Sequence, residues 1–285
     1  MKKVLVLGSA GMAGHMITLY LSESGYDVTG FSLTANTVYA GIVGDATDSA
    51  FIKEVVDKGK YDYIINCIGI LNQFAESNRP NAILLNAYLP HYLAKITENT
   101  KTRIIHMSTD CVFSGKKGAY EAHDLRDGET FYDRTKALGE LDDDKNITLR
   151  NSIVGPDINE TGIGLLNWFM KQEGEINGFT KAIWTGQTTL QLAKTMDAFM
   201  KNGAAGLYNA VPDHPITKYE LLVLFNRYLR DDALTIHPID GVGLDKSLIS
   251  TPFGFDYRIP DYEIMVKEMA DWIFAHKGLY QHYGL

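Results

Sequence analysis

The sequence has few of the features that would assign it at once to a class of protein. Only two of its 285 residues are cysteine, Cys67 and Cys111. Two isolated cysteines do not make a disulfide framework, and they fit a reducing compartment. No run of about 18 apolar residues occurs, which predicts that no segment spans a membrane. Because dense Lys/Arg runs are also absent and the formal net charge is −8, binding to nucleic acid or an anionic membrane is disfavoured. We therefore expect a cytoplasmic protein.

The rest of the composition is that of a globular chain, with 45% hydrophobic and 22% charged residues. In the first half, short apolar runs alternate with helical patterns. The predicted strands are 4–7, 27–31, 42–43, 63–67, 103–107 and 147–150, and the predicted helices are 12–24, 51–57, 82–97 and 132–141. This alternation predicts right-handed βαβ units and an α/β fold, a Rossmann-type doubly wound parallel sheet.

In the second half, predicted strands and helices alternate less regularly. We predict helices over 162–172, 189–200, 217–229 and 262–274, and a strand over 207–210. From these patterns we expect a dinucleotide-binding domain over residues 1–160, to which 186–210 returns. Residues 161–185 and 211–285 are expected to form a smaller C-terminal substrate-binding lobe, packed over the carboxyl edge of the sheet.

Three glycines, Gly8, Gly11 and Gly14, lie between the first predicted strand and the first helix. Glycines at this position permit a tight turn, and the N-terminus of the following helix attracts a pyrophosphate. A glycine trio alone also suits an ordinary strand-to-helix turn, but its place in the first βαβ unit favours a dinucleotide site. The other predicted cofactor-binding residues are Met12 and Ala13 in the turn, Ser32, Asp45, Ala46, Cys67, Ile68, Gly69, Asn86, Met107, and the catalytic pair Tyr132 and Lys136 described below.

The sequence leaves the choice between NADH and NADPH open. The second strand normally ends in an acid that binds the adenine ribose, whereas here it runs into Phe31-Ser32-Leu33-Thr34. A 2′-phosphate also lacks its usual basic partner, since no Lys or Arg occurs between Lys3 and Lys53. Asp45 is suited equally to an adenine amino group and to a helix cap, and for Cys67 we favour a buried, unreactive thiol.

The most informative motif is Tyr132-Asp-Arg-Thr-Lys136, preceded by Ser108-Thr109-Asp110. A Tyr and a Lys four residues apart share one face of a helix. The ammonium is expected to lower the Tyr132 pKa from about 10 toward neutrality and to hold the nicotinamide ribose. Tyr132 would then donate a proton to a carbonyl that receives a hydride, with Thr109 bound to the same oxygen. These three residues are the predicted catalytic set.

Two polar residues near this motif have open roles. Asp110 either orients a substrate hydroxyl or fixes its own loop, and Asn86 either supports a water relay to Lys136 or is an exposed or capping residue. A chance Tyr-x-x-x-Lys pair on a solvated helix is conceivable in a chain with 16 tyrosines. The Ser-Thr-Asp turn directly after a predicted strand makes the catalytic interpretation the stronger one.

With these motifs the chain resembles the extended short-chain dehydrogenase/reductase family, and within it the dTDP-4-dehydrorhamnose reductase branch. The resemblance covers nearly the whole chain. It rests on the glycine turn, on Ser108-Thr109-Asp110-Cys-Val-Phe113-x-Gly115, on Tyr132-x-x-x-Lys136 with Gly139-Glu140, on Leu149-Arg150-x-Ser152, and on the later stretches 186–193 and 206–209. It implies NAD(P)H-dependent reduction of the 4-keto group of a nucleotide-linked 6-deoxysugar, which feeds surface-polysaccharide synthesis. It also implies that Thr109, Tyr132 and Lys136 carry the catalysis.

The chain departs from that branch at two places. Where the branch often has a Trp two or three residues after the conserved Arg150, against the sugar, this sequence has Ile153. Some members join a dimer through magnesium held by glutamates, one of them just after the glycine turn. Here that position reads His15-Met16, so we predict no metal, and a homodimer is left open.

The predicted substrate-binding residues are Thr109, Asp110, Ile153 and Trp184, with Lys246-Ser247 and Arg258 as further candidates for the diphosphate. Two competing functions remain open, a nucleotide-sugar epimerase and a regulatory subunit that binds a dinucleotide without turnover. Dehydration is disfavoured, because family dehydratases usually follow Thr-Asp with Glu and this chain has Cys111.

Overall fold

The computed structural model describes residues 1–35, 38–241 and 243–285. In chain order its strands are β1 (Lys3–Leu7), β2 (Asp27–Ser32), β3 (Gly41–Val43), β4 (Tyr63–Asn66), β5 (Arg103–Ser108), β6 (Ile147–Arg150), β7 (Ser152–Val154), β8 (Glu175–Phe179), β9 (Ala182–Trp184), β10 (Gly186–Thr188), β11 (Gly206–Asn209), β12 (Ile216–Thr217), β13 (Thr235–Ile239) and β14 (Leu244–Asp245).

The α-helices are α1 (Met12–Glu23), α2 (Ser49–Gly59), α3 (Asn72–Ser77), α4 (Arg79–Ala82), α5 (Leu89–Ile96), α6 (Phe131–Leu138), α7 (Leu165–Met170), α8 (Thr189–Asn202), α9 (Lys218–Arg230) and α10 (Tyr262–Ala275). A π-helical segment, Ile83–Tyr88, joins α4 to α5, and 3₁₀ turns cover Asp110–Val112, Lys277–Leu279 and Gln281–Tyr283. No helix of the described residues is long and apolar enough to cross a membrane.

A seven-stranded sheet with the order β11-β6-β5-β4-β1-β2-β3 forms the centre of the fold. Its neighbouring strands all pair in parallel. The chain leaves β1 toward one edge and returns to build the other edge from β4 onward, so a crevice opens beside β1. The predicted α/β fold with a doubly wound parallel sheet is confirmed.

Alternation along the central strands builds two cores. In β1, Val4 and Val6 belong to the cluster that packs on α1 and α8, whereas Leu5 and Leu7 belong to the cluster that packs on α2 and α5. All four side chains are fully buried. A strand covered on both faces reads as one continuous apolar run, which is why β1 was recognisable from the sequence.

The second half contains short strands that the sequence analysis did not predict. β7 pairs with β10, β8 pairs with β13, and β12, β9 and β14 form a three-stranded sheet. Most of these strands have two to five residues, too short for a periodic pattern to stand out. Helix α7 is also shorter than the predicted 162–172, since it begins at Leu165 and ends at Met170.

The predicted long helix over 82–97 is interrupted by the π-helical segment. Close packing against α6 accompanies this segment, because a Cβ placed on Gly139 would lie 1.9 Å from the carbonyl oxygen of Asn86. Only glycine permits that approach. Helix α6 is itself shifted from the predicted 132–141: it starts at Phe131 behind a capping box formed by Thr130 and Asp133.

We predict that Gly139→Ala destabilises the fold by about 1–3 kcal/mol or more, since the added methyl group meets backbone that cannot move freely. Gly278→Ala is the matched control, because nothing lies within 4 Å of its added Cβ, and its effect should stay within about 0.5 kcal/mol. Urea unfolding of both variants measures the difference. Equal stability of the two would contradict the packing described for Gly139.

Candidate active site at the carboxyl edge of the sheet

The glycine turn is built for close approach of a ligand to the backbone. Gly8 has a φ of +82°, a conformation that favours glycine. A Cβ on Gly14 would lie 2.1 Å from the Gly8 carbonyl oxygen. The N-cap of α1 is Gly11, so no side chain caps the first backbone N–H groups of the helix. The first turn of the helix also carries no acid. The free N–H groups and the helix dipole therefore face outward, and this cradle fits the pyrophosphate of a dinucleotide.

Residues from the second half of the chain support the first turn of α1. His15 is fully buried; its Nδ1 lies 3.1 Å from the Gly11 carbonyl oxygen and its Nε2 3.0 Å from the Tyr280 hydroxyl. Asn159 also donates to the carbonyl of Ala10. No sequence motif indicated these supports, because they join residues more than a hundred positions apart.

Two predicted adenosine-side residues have local partners. The hydroxyl of Ser32 donates to the Thr34 carbonyl at 2.7 Å. Asp45 is exposed after β3 and accepts from the Thr47 backbone N–H at 2.8 Å, while the cap of α2 is Asp48. The alternative that Asp45 caps this helix is therefore wrong. A cofactor role for Ser32, Asp45 and the adjoining Ala46 stays a prediction.

The residues after β4 lie directly against the glycine turn. A Cβ on Gly8 would approach the backbone of Cys67 and Ile68 at 3.2 Å. Burial raises the pKa of the Cys67 thiol to about 12, with the Lys136 charge opposing the rise, so Cys67 is a protonated, unreactive thiol at neutral pH. Gly69 follows at the exposed rim.

Asn86 is neither exposed nor a cap. It is fully buried in the π-helical segment, where its amide accepts from the Ile70 N–H at 2.8 Å and donates to the Ile70 carbonyl and to the Thr135 hydroxyl. Asn86 thus ties the loop after β4 to the middle of α6. These bonds do not test the predicted water relay from Asn86 to Lys136, which stays a prediction.

The structure brings Thr109 and Tyr132 together. Thr109 caps the 3₁₀ turn after β5: its hydroxyl accepts from the Cys111 N–H at 3.1 Å and donates to Asp110 at 3.0 Å. The phenol of Tyr132 comes from α6 to the same turn, where the Thr109 hydroxyl acts to lower its pKa. Both residues are buried, at 8% and 7% exposure, and they form one polar spot between β5 and α6.

The expected direction of the Tyr132 pKa is wrong. Burial is the largest influence and raises the pKa of Tyr132, nearby acidic groups including Cys111 add to the rise, and the Thr109 hydroxyl opposes it. The Lys136 charge is not among the principal influences on this pKa. Desolvation outweighs the attraction that the spacing of the two residues suggested.

Lys136 points toward β5 and the end of β4. Its ammonium donates to the Met107 carbonyl at 2.6 Å. Burial lowers the pKa of Lys136 to about 8, with Glu140 and Cys67 opposing. One of the three N–H donors is used by Met107, so two remain for ligand hydroxyls.

A buried ion pair that the sequence analysis did not assign stands behind this site. Arg150 donates to Glu140 through Nε at 2.8 Å and Nη2 at 2.7 Å, with both side chains at most 1% exposed. Burial alone would raise the pKa of Glu140, but the bonds from Arg150 and Ser108 more than offset it and the pKa is lowered. Arg126 also contacts the carboxylate. In the sequence analysis, Glu140 and Arg150 entered only as parts of the family motifs Gly139-Glu140 and Leu149-Arg150, and nothing there paired them.

The predicted substrate residues occupy different settings. Asp110 is next to Thr109 and its carboxyl is enclosed, which raises its pKa. Trp184 is buried against Tyr262, with the Lys218 ammonium over its ring at 4.9 Å. Ile153 is half-buried in β7, and its side chain packs on the main core.

The further diphosphate candidates also differ from one another. Lys246 is half-buried and acts on Asp110. Ser247 is buried and its hydroxyl accepts from the Ala119 N–H, which is a structural role. Arg258 is exposed on the outer surface. Lys218 has no counterpart among the predicted residues; its place as the first residue of a predicted amphipathic helix gave no sign of it.

Comparison with known proteins gives matches over most of the chain. A family model described as the RmlD substrate binding domain matches residues 1–240. The dTDP-4-keto-6-deoxy-D-glucose reductase of Streptomyces niveus is 27% identical over 247 residues, which are 82% of this chain and 81% of that protein. The dTDP-4-dehydrorhamnose reductase of Mycobacterium tuberculosis is 31% identical over 145 residues, 49% of this chain and 44% of that protein.

A solved structure shares the fold. The dTDP-4-dehydrorhamnose reductase of Bacillus anthracis, in complex with NADP, superimposes with a TM-score of 0.79 at 18% identity, covering 94% of this chain and 98% of that one. At this identity the likeness concerns the fold, and it agrees with the doubly wound sheet described above.

The charge of Lys136 makes a testable prediction about cofactor affinity. Because the lysine is protonated below pH 8 and neutral above it, its two free donors bind ribose hydroxyls best at low pH. The Kd for NADH or NADPH, measured by nicotinamide fluorescence, should be lowest near pH 6.5 and rise as the pH passes through about 8. In Lys136→Met the affinity should be weaker and this pH step absent. A step that persists in the variant would show that Lys136 does not bind the cofactor.

Proposed function

Because the chain belongs to the family of the RmlD substrate binding domain, we propose that it is an NAD(P)H-dependent oxidoreductase. Its substrate is a nucleotide-linked 4-keto-6-deoxysugar, whose 4-keto group it reduces for the synthesis of surface-polysaccharide precursors. The two relatives described above are named as reductases of dTDP-linked sugars. Their names support dTDP as the nucleotide.

The observation that carries the proposal is that Tyr132 comes from α6 to the turn after β5, where the Thr109 hydroxyl acts on its phenol. A hydroxyl and a phenol that meet at one point are able to bind one substrate oxygen together. Lys136 lies one helical turn further along α6 and reaches the end of β4, where Cys67 adjoins Gly8. This arrangement supports a proton donor at Tyr132 close to a cofactor held by the glycine turn.

The cofactor, when bound, supplies the hydride that a carbonyl reduction requires. Gly8, Gly11 and Gly14 would hold its pyrophosphate, and Lys136 its ribose. Tyr132 donates the proton to the carbonyl oxygen at its phenol Oη. The raised pKa of Tyr132 suits this role, since the phenol stays protonated at neutral pH.

Thr109 and Asp110 act on the other side of the same oxygen. The single proton of the Thr109 hydroxyl points to Asp110. We expect it to turn to the carbonyl oxygen when substrate binds, while Asp110 accepts from a neighbouring sugar hydroxyl. Charge that develops on the oxygen would then be stabilised by two donors in a site with little water.

The same proposal assigns the protein to the cytoplasm, where nicotinamide cofactors and nucleotide sugars are present. A homodimer stays a prediction, and sedimentation velocity measures it directly.

The activity is tested with a panel of nucleotide-linked 4-keto sugars, each offered with NADH and with NADPH. Loss of absorbance at the nicotinamide band with at least one dTDP-linked ketosugar is expected. Conversion of a sugar without net cofactor consumption would instead identify an epimerase. Tight cofactor binding with no conversion of any sugar would identify a regulatory dinucleotide-binding protein.

The role of Tyr132 is tested by Tyr132→Phe, which removes only the phenol oxygen. Turnover should fall by about 10²-fold or more, the usual effect of losing a general acid, while the Kd for the cofactor stays within about twofold. Tyr63→Phe is the control, because Tyr63 is a buried tyrosine whose hydroxyl bonds to the Met200 carbonyl in the core that packs on α1 and α8. If Tyr132→Phe turned over as fast as this control, the phenol would not be the proton donor.

A further inference from the structure

A small sheet in the C-terminal part places two lysines at the catalytic turn. In the order β12-β9-β14, Thr217 and Asp245 both flank Ile183 of the central strand. Lys218 follows the end of β12 and Lys246 follows the end of β14. Both side chains therefore start from the same small sheet, on opposite sides of β9.

The segment that follows β14 is hydrogen-bonded to the loop that comes after the catalytic threonine. The Tyr120 N–H donates to the Ser247 carbonyl at 2.8 Å, and the Ala119 N–H donates to the Ser247 hydroxyl at 2.9 Å. A Cβ on Gly115 would lie 3.1 Å from Cγ of Lys246. These contacts hold the segment that carries Lys246 against the loop of residues 115–120, which follows the Thr109–Asp110 turn.

Both ammonium groups act on one carboxylate, that of Asp110. Burial raises the pKa of Asp110, and the charges of Lys246 and Lys218 oppose the rise. Burial also lowers the pKa of Lys218 to about 8, with Asp110 opposing. The ammonium of Lys218 lies 4.9 Å from the ring centre of Trp184, which is a cation–π arrangement.

Neither lysine is paired at contact distance with an acidic group of the described residues. Within the part of the chain that the structure describes, the ammonium groups of Lys218 and Lys246 form no ion pair and no hydrogen bond with a protein group. An enclosed ammonium without such a partner is costly to fold. An unpaired charge in a cleft beside catalytic groups is typical of a site whose counter-charge arrives with the ligand.

We propose that Lys218 and Lys246 form a two-lysine clamp for the diphosphate of the nucleotide sugar, with the Trp184 indole as its floor. In such a substrate the C4 oxygen and the diphosphate at C1 are attached at opposite ends of the sugar ring. A sugar whose C4 oxygen meets Thr109 therefore presents its diphosphate one ring length away. Lysine is a common phosphate ligand, acting as a point charge. The inference rests on the proposed function and names the residues that would select its substrate class.

Binding of dTDP, inorganic pyrophosphate and thymidine, measured by calorimetry, tests the clamp without any turnover. Lys218→Met and Lys246→Met should each weaken dTDP and pyrophosphate binding by about 10- to 100-fold, the range for lost charged hydrogen bonds. Affinity for thymidine and for the nicotinamide cofactor should stay within about twofold. Lys267→Met is the control, since Lys267 is an exposed lysine paired with Asp271 on α10, and it should bind all four ligands normally.

Thermal stability separates a binding role from a structural one. Because Lys218→Met removes an enclosed charge without a partner, its Tm should be equal to that of the unmodified protein or higher, even though dTDP binding is lost. A lower Tm together with equal losses for dTDP, thymidine and cofactor would reveal a structural lysine and overturn the proposal.

Different experimental results would contradict the proposed clamp and the proposed reductase activity. Unchanged dTDP affinity in both lysine variants would overturn the clamp, whatever the reductase assay gives. Normal dTDP binding in the unmodified protein, lost in both variants, supports the clamp even when no ketosugar of the panel is reduced. In that case the reduction alone is wrong.

Discussion

The buried ion pair between Arg150 and Glu140 is the constraint on which the site depends. Glu140 follows α6, the helix of Tyr132, and it also accepts from Ser108, the residue before Thr109. Arg150 ends β6 and donates onward to Asn209 at the end of β11. Removing one partner of such a pair leaves an uncompensated charge and costs about 3–5 kcal/mol. The pair therefore ties the helix of Tyr132 to the strand ends beside Thr109.

Burial decides the charge states in this crevice more than proximity does. Enclosure keeps the Tyr132 phenol protonated and lowers the pKa of Lys136 and of Lys218 to about 8. Burial thereby favours the neutral form of each of these three groups. A dinucleotide and a diphosphate would bring the hydroxyls and negative charges that favour the ammonium forms. If the two lysines bind these ligands as proposed, ligand binding and lysine protonation are coupled.

The sequence predicted those parts of the molecule in which a local pattern repeats. The apolar run of β1, the glycine turn from Gly8 to Gly14, and the pairing of Thr109 with Tyr132 follow from spacing and element order. The direction of the Tyr132 pKa was missed, because desolvation depends on packing that no spacing reveals. Lys218 and the His15–Tyr280 contact were missed for a related reason, since their partners lie far away in the chain. The short strands of the C-terminal part carry too few residues for a pattern.

The central claim is that hydride is delivered to the carbon whose oxygen meets Thr109 and Tyr132. It is tested most directly by incubating the protein with a dTDP-linked 4-keto-6-deoxysugar and nicotinamide cofactor deuterated at C4 of the nicotinamide. Proton NMR of the product then locates the label. The account predicts one deuterium at C4 of the sugar and none elsewhere. Deuterium at another sugar carbon, or a reduced sugar without deuterium, would contradict it.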